Sequence, residues 1–261
     1  MSRLQAIYPG VELPLLYAHR GYSSRAPENT LSAFEAARTA GIPGIELDVH
    51  RCASGELVVI HDHDLKRLAG YEGIVEECDW AVLSKLDVGV WKDERFRGER
   101  IPLMADVFDL IGDSLYFDIE IKSRGDRPGA LEHQLLELIR ARGLTERCIV
   151  SSFDPRTIAL TKRLAPEIPT AVIYSSEHWV PLPLRLGQGR FIAHCDILKP
   201  HHAKITPMGK LINERIMGYK SITWTVDDPA EAERCLALGA AGLISNNPGP
   251  LAPIVERHRR G

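Results

Sequence analysis

The chain has 261 residues, 44% of them hydrophobic and 26% charged, a globular composition that excludes a disordered or collagen-like protein. Its 32 basic and 35 acidic residues leave a net charge of −3, which argues against a general nucleic-acid binder, because such proteins carry a basic surplus. No apolar run approaches the roughly 18 to 20 residues of a membrane span.

The first segment, Met1–Leu16, has one arginine, one glutamate and two prolines, and does not read as a signal peptide. The five cysteines (Cys52, Cys78, Cys148, Cys195, Cys235) form no CxxC pair. They read as reduced, buried thiols of a cytoplasmic protein.

Short apolar runs alternate with helical patterns along the chain. Leu15–Ala18 is the first predicted strand, followed by a helix over Thr30–Ala40 that stops at Gly41. Gly44–Val49 is the second strand. Residues 51–100 are too long for one strand-to-helix connection and read as an insertion. It has its own strand, Glu56–Ile60, and a short helix near Asp79–Leu86. The third strand is Leu115–Ile121, and a helix over Gly129–Arg142 stops at Gly143. Cys148–Ser152 is the fourth strand, with Asp154 and Pro155 capping a helix that reaches about Leu164. Thr170–Tyr174 is the fifth. The next helical unit, Ser175–Arg190, is broken by two prolines and two glycines. Phe191–Ile197 is the sixth strand, followed by a helix over Pro207–Met217. Tyr219–Thr225 is the seventh, and Asp228–Pro229 opens a helix ending before Gly239. Gly242–Ser245 is the eighth.

Most of these strands are continuously apolar, as parallel strands buried on both faces are. Eight of them alternating with helices predict an α/β fold, a TIM (β/α)8 barrel with a small insertion after the second strand. The whole of residues 1–261 is expected to form one domain. A doubly wound open sheet gives a similar alternation, so the pattern alone leaves both topologies in play.

In a barrel, function gathers at the C-terminal strand ends. The first strand ends His19-Arg20-Gly21, and the second contains Glu46 and Asp48. The insertion strand ends His61-Asp62, and the third strand contains Asp118, Glu120 and Lys122. Residues two apart share a face, so Glu46 and Asp48 point together, as do Asp118, Glu120 and Lys122. Convergent strands would gather Glu46, Asp48 and Glu120. Confined carboxylates repel unless a cation joins them, and oxygen-only ligation favours Mg2+ or Ca2+ over zinc. His19 and His61, both at strand ends facing that cluster, suggest an acid/base pair. Arg20 and Lys122 add positive charge suited to a phosphate group. The other histidines, His50 and His63 among them, carry no such context and read as surface or structural.

The ordered set His19-Arg20-Gly21, Pro27-Glu28-Asn29-Thr30, Glu46-Leu47-Asp48-Val49 and Val58-Val59-Ile60-His61-Asp62 resembles the glycerophosphodiester phosphodiesterase family, bacterial cytoplasmic type. Asp118-Ile119-Glu120-Ile121-Lys122, Ser151-Ser152-Phe153 and Trp224-Thr225-Val226 continue the likeness, which spans His19 to about Pro248. The resemblance implies hydrolysis of small glycerophosphodiesters to sn-glycerol 3-phosphate and an alcohol, with one bound divalent cation, Mg2+ or Ca2+. It implies His19 and His61 as general acid and base, with Glu46, Asp48 and Glu120 as metal ligands. Arg20 and Lys122 match the phosphate contacts, and Glu28 would orient Arg20 or a histidine. Phe153 and Trp224 look like walls beside the glycerol or the alcohol. The similar barrel phospholipases suggest attack by the neighbouring glycerol hydroxyl through a cyclic phosphate, with direct water attack as the alternative.

Two positions depart from the family pattern. Ser54-Gly55 stands where Asp-Gly is frequent. Ser245-Asn246-Asn247-Pro248 lacks the usual aspartate after the last strand, which puts any contact from that strand in doubt. Two alternative functions carry over from the same reading: a lysophospholipase D-type enzyme with the loop Trp179–Leu186 on a lipid chain, or a barrel without catalysis. The complete constellation of histidines, acids, Arg20 and Lys122 argues against the latter. The sequence sets no oligomeric state.

Overall fold

A computed structural model of the chain describes residues 11–122 and 129–260. The N-terminal segment read above for a leader therefore lies mostly outside the described residues, which leave out 1–10. Eight parallel strands close into a barrel: β1 (Leu15–His19), β2 (Gly44–Arg51), β4 (Tyr116–Ile121), β5 (Cys148–Ser152), β6 (Thr170–Tyr174), β7 (Ile197–Pro200), β8 (Lys220–Thr223) and β9 (Gly242–Ser245). Closure comes from β1, which pairs with β9 on one side and with β2 on the other. The extra strand β3 (Leu57–Val59) pairs antiparallel with the upper end of β2, setting Val59 opposite Val49. The open-sheet alternative is thereby excluded, and the expected TIM barrel is the fold.

Alternation along the strands sorts side chains into two populations. Leu15, Tyr17, Ile149, Ala171, Ile197, Ile222 and Ile244 form one buried cluster, the floor of the barrel interior. Their neighbours on the opposite strand faces, such as Leu16, Ile45, Leu47, Phe117, Val150 and Leu243, pack against the outer helices in a second and larger cluster. Gly44 makes room for the floor, because a Cβ there would stand 2.6 Å from the Tyr17 ring. Above the floor the inward positions turn polar.

The helices form where caps and apolar spacing predict. In α1 (Leu31–Thr39) the Thr30 side chain accepts from the Ala33 N–H, and Ala33, Phe34 and Ala37 face the barrel. Complete burial of Phe34 contributes about 2–3 kcal/mol relative to exposure. Three helices are additional to the sequence reading: the single turn Lys66–Ala69, α2 (Met104–Ile111), which buries Met104, Val107, Phe108 and Ile111, and the C-terminal Ala252–Arg260. Between β2 and α2, residues 52–103 build a small core of their own around Cys52, Val58, Ile60, Leu65 and Leu83.

The sixth predicted strand differs. Arg190–Ala193 is a helical turn, and the strand runs Ile197–Pro200. Phe191 and Ile192 are exposed, and His194 adopts a left-handed backbone (φ 50°) that ends the turn. A short apolar run does not by itself distinguish strand from helix; here pairing of Ile197 with Ala171 and Lys220 decides. The helix predicted over Pro207–Met217 is α-helical only over Pro207–Lys210 and widens to a π-helix over Leu211–Ile216. Ser175–Arg190 keeps one 3-10 turn, Leu182–Leu184.

Candidate active site

A cavity of about 680 Å³ opens at the C-terminal ends of the strands, lined by His19, Arg20, Glu46, His61, Glu120, Lys122, Phe153, Lys199 and Trp224 among others. Its size is that of small-molecule sites generally. The strand register builds its polar ring. His19 on β1 stands beside Glu46 on β2. Glu46 and Asp48 stand beside Asp118 and Glu120 on β4.

The three carboxylates Glu46, Asp48 and Glu120 are all buried, and one oxygen from each falls within 4.8 Å of the other two. Asp118, a step lower, does not join them. Its Oδ2 lies 2.8 Å from the Lys199 ammonium, and it accepts from the Ser151 hydroxyl at 2.8 Å. Lys122 Nζ lies 2.5 Å from Glu120 Oε1 and 3.0 Å from Asp48 Oδ1. Asp48 Oδ2 also accepts from Asn29 Nδ2 at 2.8 Å.

Burial, together with the charge of Asp48, pushes the Glu46 carboxyl well above the usual carboxylate range. At Asp48 burial acts the same way but is outweighed by Lys122, His61 and Arg20, so its carboxyl is held low. Among the described residues Glu46 pairs with no lysine or arginine side chain, while Asp48 Oδ1, though near Lys122, makes no hydrogen bond. An all-oxygen group of this kind fits a hard divalent cation.

Each histidine is held from behind. His19 Nδ1 lies 2.7 Å from the Asn246 side-chain oxygen. Asn246 in turn donates from its backbone N–H and its Nδ2 to Asp227, both at 2.8 Å. His19 Nε2 is 3.8 Å from Glu46 Oε2. Burial, reinforced by the Arg20 charge, lowers the His19 imidazole to about 4, so it is neutral at physiological pH. His61 Nδ1 lies 2.6 Å from Asp62 Oδ1. In both rings Nδ1 is engaged with an acceptor, which leaves Nε2 for the cavity.

A chain of ion pairs links the two histidine segments. Arg20 Nη1 lies 2.8 Å from Glu28 Oε1; Arg67 grips the same oxygen at 2.7 Å and Asp62 Oδ2 at 2.5 Å. Burial works against the Arg20 charge, but Asp48, Glu28 and Glu46 outweigh it and hold the guanidinium charged. Arg20 itself adopts a left-handed backbone (φ 56°), an uncommon conformation for a side-chain-bearing residue. The glycine after it has φ 78°, and a Cβ there would meet the Ala33 carbonyl carbon at 2.7 Å. Close packing of this turn on α1 thus requires Gly21 and aims Arg20 inward.

All of the singled-out residues converge here. Eight line the cavity; Asp48 lies beneath it and Glu28 behind Arg20. Phe153 meets Trp224 edge-on at 5.7 Å and Trp179 at 4.6 Å. Trp179, from the loop Trp179–Leu186, forms part of this wall. Five further residues were not picked out: Lys199, Asp62, Arg67, Asn246 and Asp227. A lone lysine in Ile197–Pro200 is the sequence signal for the first, and the strand predicted over Phe191–Ile197 stops short of it. The departure from the family pattern after β9 points to the segment of Asn246, whose amide oxygen meets His19 Nδ1.

Barrel, carboxylate cluster and histidine pair thus meet at one cavity. The chain matches the model of the Glycerophosphoryl diester phosphodiesterase family over residues 19–250 and belongs to that family. It is 36% identical over 245 residues to a glycerophosphodiester phosphodiesterase of Caldanaerobacter subterraneus subsp. tengcongensis, covering 93% of this chain and 98% of that one. Among solved structures, an Oleispira antarctica phosphodiesterase in complex with the product sn-glycerol-3-phosphate superposes with a TM-score of 0.83 at 25% identity, covering 94% and 97% of the two chains. A Silicibacter pomeroyi protein, described as a putative glycerophosphoryl diester phosphodiesterase, gives 0.83 at 26% identity, covering 98% and 97%.

Proposed function

We propose that this protein hydrolyses small glycerophosphodiesters to sn-glycerol 3-phosphate and an alcohol, with His19 and His61 transferring the protons. The observation that carries the reading is the pair of imidazoles, each tied at Nδ1 and each lining one cavity above three convergent carboxylates. Arg20 and Lys122 bind the phosphodiester anion, and Glu28 orients Arg20. One histidine takes the proton from the attacking oxygen; the other gives a proton to the departing alkoxide. Asp62 and Asn246 fix the rings for these transfers, and Asp62 steadies the His61 imidazolium when it forms. Phe153, Trp224 and Trp179 shield the alcohol side from water.

Glu46, Asp48 and Glu120 would hold one divalent cation, Mg2+ or Ca2+. When bound, it supplies charge neutralisation at the phosphate. The five cysteines are all unpaired, which supports a reducing compartment, the cytoplasm.

One observation favours a lipid substrate as a second reading. Trp179, Leu182, Leu186 and Phe191, on the segment that leaves the aromatic wall, are exposed. Both readings are tested by coupled release of glycerol 3-phosphate from glycerophosphocholine and glycerophosphoethanolamine, beside choline release from lysophosphatidylcholine. Each is run in EDTA and after Mg2+ or Ca2+ is restored. Metal-dependent release from the water-soluble diesters is expected, with His19→Ala and His61→Ala each lowering kcat about 10²- to 10⁴-fold. Turnover of the lysolipid alone would overturn the first reading in favour of the second.

A further inference from the structure

Beside the carboxylate cluster lies a second convergence of donor atoms that phosphodiester hydrolysis leaves unused. His50, at the upper end of β2, is completely buried. Its Nδ1 lies 2.8 Å from Glu76 Oε1, and His63 Nδ1 lies 2.5 Å from the same oxygen. The three donors fall within 4.8 Å of one another. The Glu76 side chain is only 9% exposed, and its other oxygen is buried with no hydrogen-bond partner.

For a neutral His50 the hydrogen-bond inventory does not close, and without a metal it closes only with a second proton on the buried ring. Its Nε2 lies 3.2 Å from the His61 carbonyl, so a neutral ring that donates there presents a bare lone pair at Nδ1 to a carboxylate oxygen. The other tautomer serves Glu76 and leaves the His61 carbonyl without that donor. Unmatched acceptors in buried surroundings are costly. A cation shared by both Nδ1 atoms and the carboxylate engages both imidazole lone pairs and leaves the Nε2–H on the His61 carbonyl, where it fixes ring orientation.

We propose that His50, His63 and Glu76 form a second cation site, distinct from the carboxylate cluster and suited to Zn2+ or an ion of its class. Two imidazoles and one carboxylate are a donor set for borderline ions, whereas the all-oxygen cluster favours Mg2+ or Ca2+. Zn–ligand distances of about 2.0–2.1 Å set donors on a tetrahedral ion roughly 3.3 Å apart. The hydrogen-bonded donors therefore have to spread by several tenths of an ångström. His63, at 42% exposure, supplies both the freedom and the route in, and water completes the coordination.

The ion ties Glu76, from the small core of residues 52–103, to the barrel strand β2. Through His50 it also secures the backbone at His61. The site thus positions a proton-transfer residue, with His63 on the lining of the same cavity.

The test uses the full chain, stripped of metal and then held in excess Ca2+ to saturate the oxygen ligands. Co2+ is titrated in, read by its visible absorption, and Zn2+ by calorimetry. One equivalent is expected to bind in the wild type and in Glu120→Gln, with the Co2+ spectrum of a four-coordinate site that has nitrogen ligands. His63→Ala and Glu76→Gln are expected to weaken binding by more than the roughly 10- to 100-fold that follows loss of a ligand's hydrogen-bond partner. The thermal midpoint rises with Zn2+ in the wild type and not in His63→Ala. Since His63 is half-exposed, that variant retains the fold even where Glu76→Gln does not, and it decides the matter. Equal affinity in wild type and His63→Ala, or no binding in the wild type, overturns the proposal.

Discussion

Replacing Lys199 by methionine isolates the electrostatics beneath the site. The Lys199 ammonium is 2.8 Å from Asp118 Oδ2 and donates to the Ser151 hydroxyl at 3.0 Å, all within the barrel. Both side chains are at most 2% exposed. Burial opposes the lysine charge, but Asp118, Glu46 and Glu120 outweigh it, so the native pair is ionic. Lys199→Met fills nearly the same volume but leaves Asp118 with Ser151 alone. Breaking a buried pair in this way costs about 3–5 kcal/mol. At roughly 2–4 °C per kcal/mol for a chain of this size, the midpoint should fall by about 6–20 °C. Adding Asp118→Asn removes the stranded charge and keeps a partner for Ser151, so the double variant should recover to within about 1–2 kcal/mol of wild type. Urea unfolding at pH 7, followed by far-UV circular dichroism for the four proteins, measures the coupling. A double variant no more stable than Lys199→Met alone would refute the ion-pair argument.

Asp62→Asn retains an acceptor for His61 but removes the charge that steadies its imidazolium, so kcat should fall about 10- to 10³-fold with KM nearly unchanged; steady-state kinetics on glycerophosphocholine reads the split. In EDTA, Glu46→Gln should melt no lower than wild type, because the carboxyl it removes is held far from its usual range by burial and by Asp48. In Ca2+ the same variant should lose the ligand-induced rise in midpoint that wild type displays. Gly21→Ala should destabilise by at least about 1–2 kcal/mol, since φ is 78° and the new methyl meets the Ala33 backbone; activity should fall with it as Arg20 shifts. On the outer face, Glu231 is held down to about 2 by Arg234, with His202 adding to the effect against burial. A depressed carboxylate stabilises above its ordinary value and loses that contribution as pH falls toward 2. The stability gap between wild type and Glu231→Gln should therefore close between about pH 5 and pH 2, as followed by chemical denaturation.

Much of the fold was legible because its signals are local. Apolar runs, Asp-Pro helix starts and glycine stops are set by backbone sterics and capping, and they bounded seven of the eight barrel strands to within a residue or two. Where a run was short and its surroundings exposed, as at Phe191–Ile192, apolarity alone did not separate a helical turn from a strand. The extra helix α2 lies between the insertion, residues 51–100, and the strand that opens at Leu115, a stretch assigned to neither.

The chemistry-bearing residues were legible for a similar reason: alternation along one strand fixes that Glu46 and Asp48 point together, whatever the rest of the chain does. The sequence by itself thus determined the alternation of eight strands with helices, the carboxylate trio and the two strand-end histidines, because strand periodicity and residue type carry them; closure into a barrel was left to the pairing of β1 with β9. Only the tertiary structure decided which carboxylate lies idle. Asp118 shares a face with Glu120, yet it is claimed by Lys199, three strands away around the barrel. Likewise, Asn246 holds His19 across 227 residues of chain, and Arg67 joins Glu28 to Asp62. Such pairings depend on barrel closure and register, and no spacing along the chain encodes them.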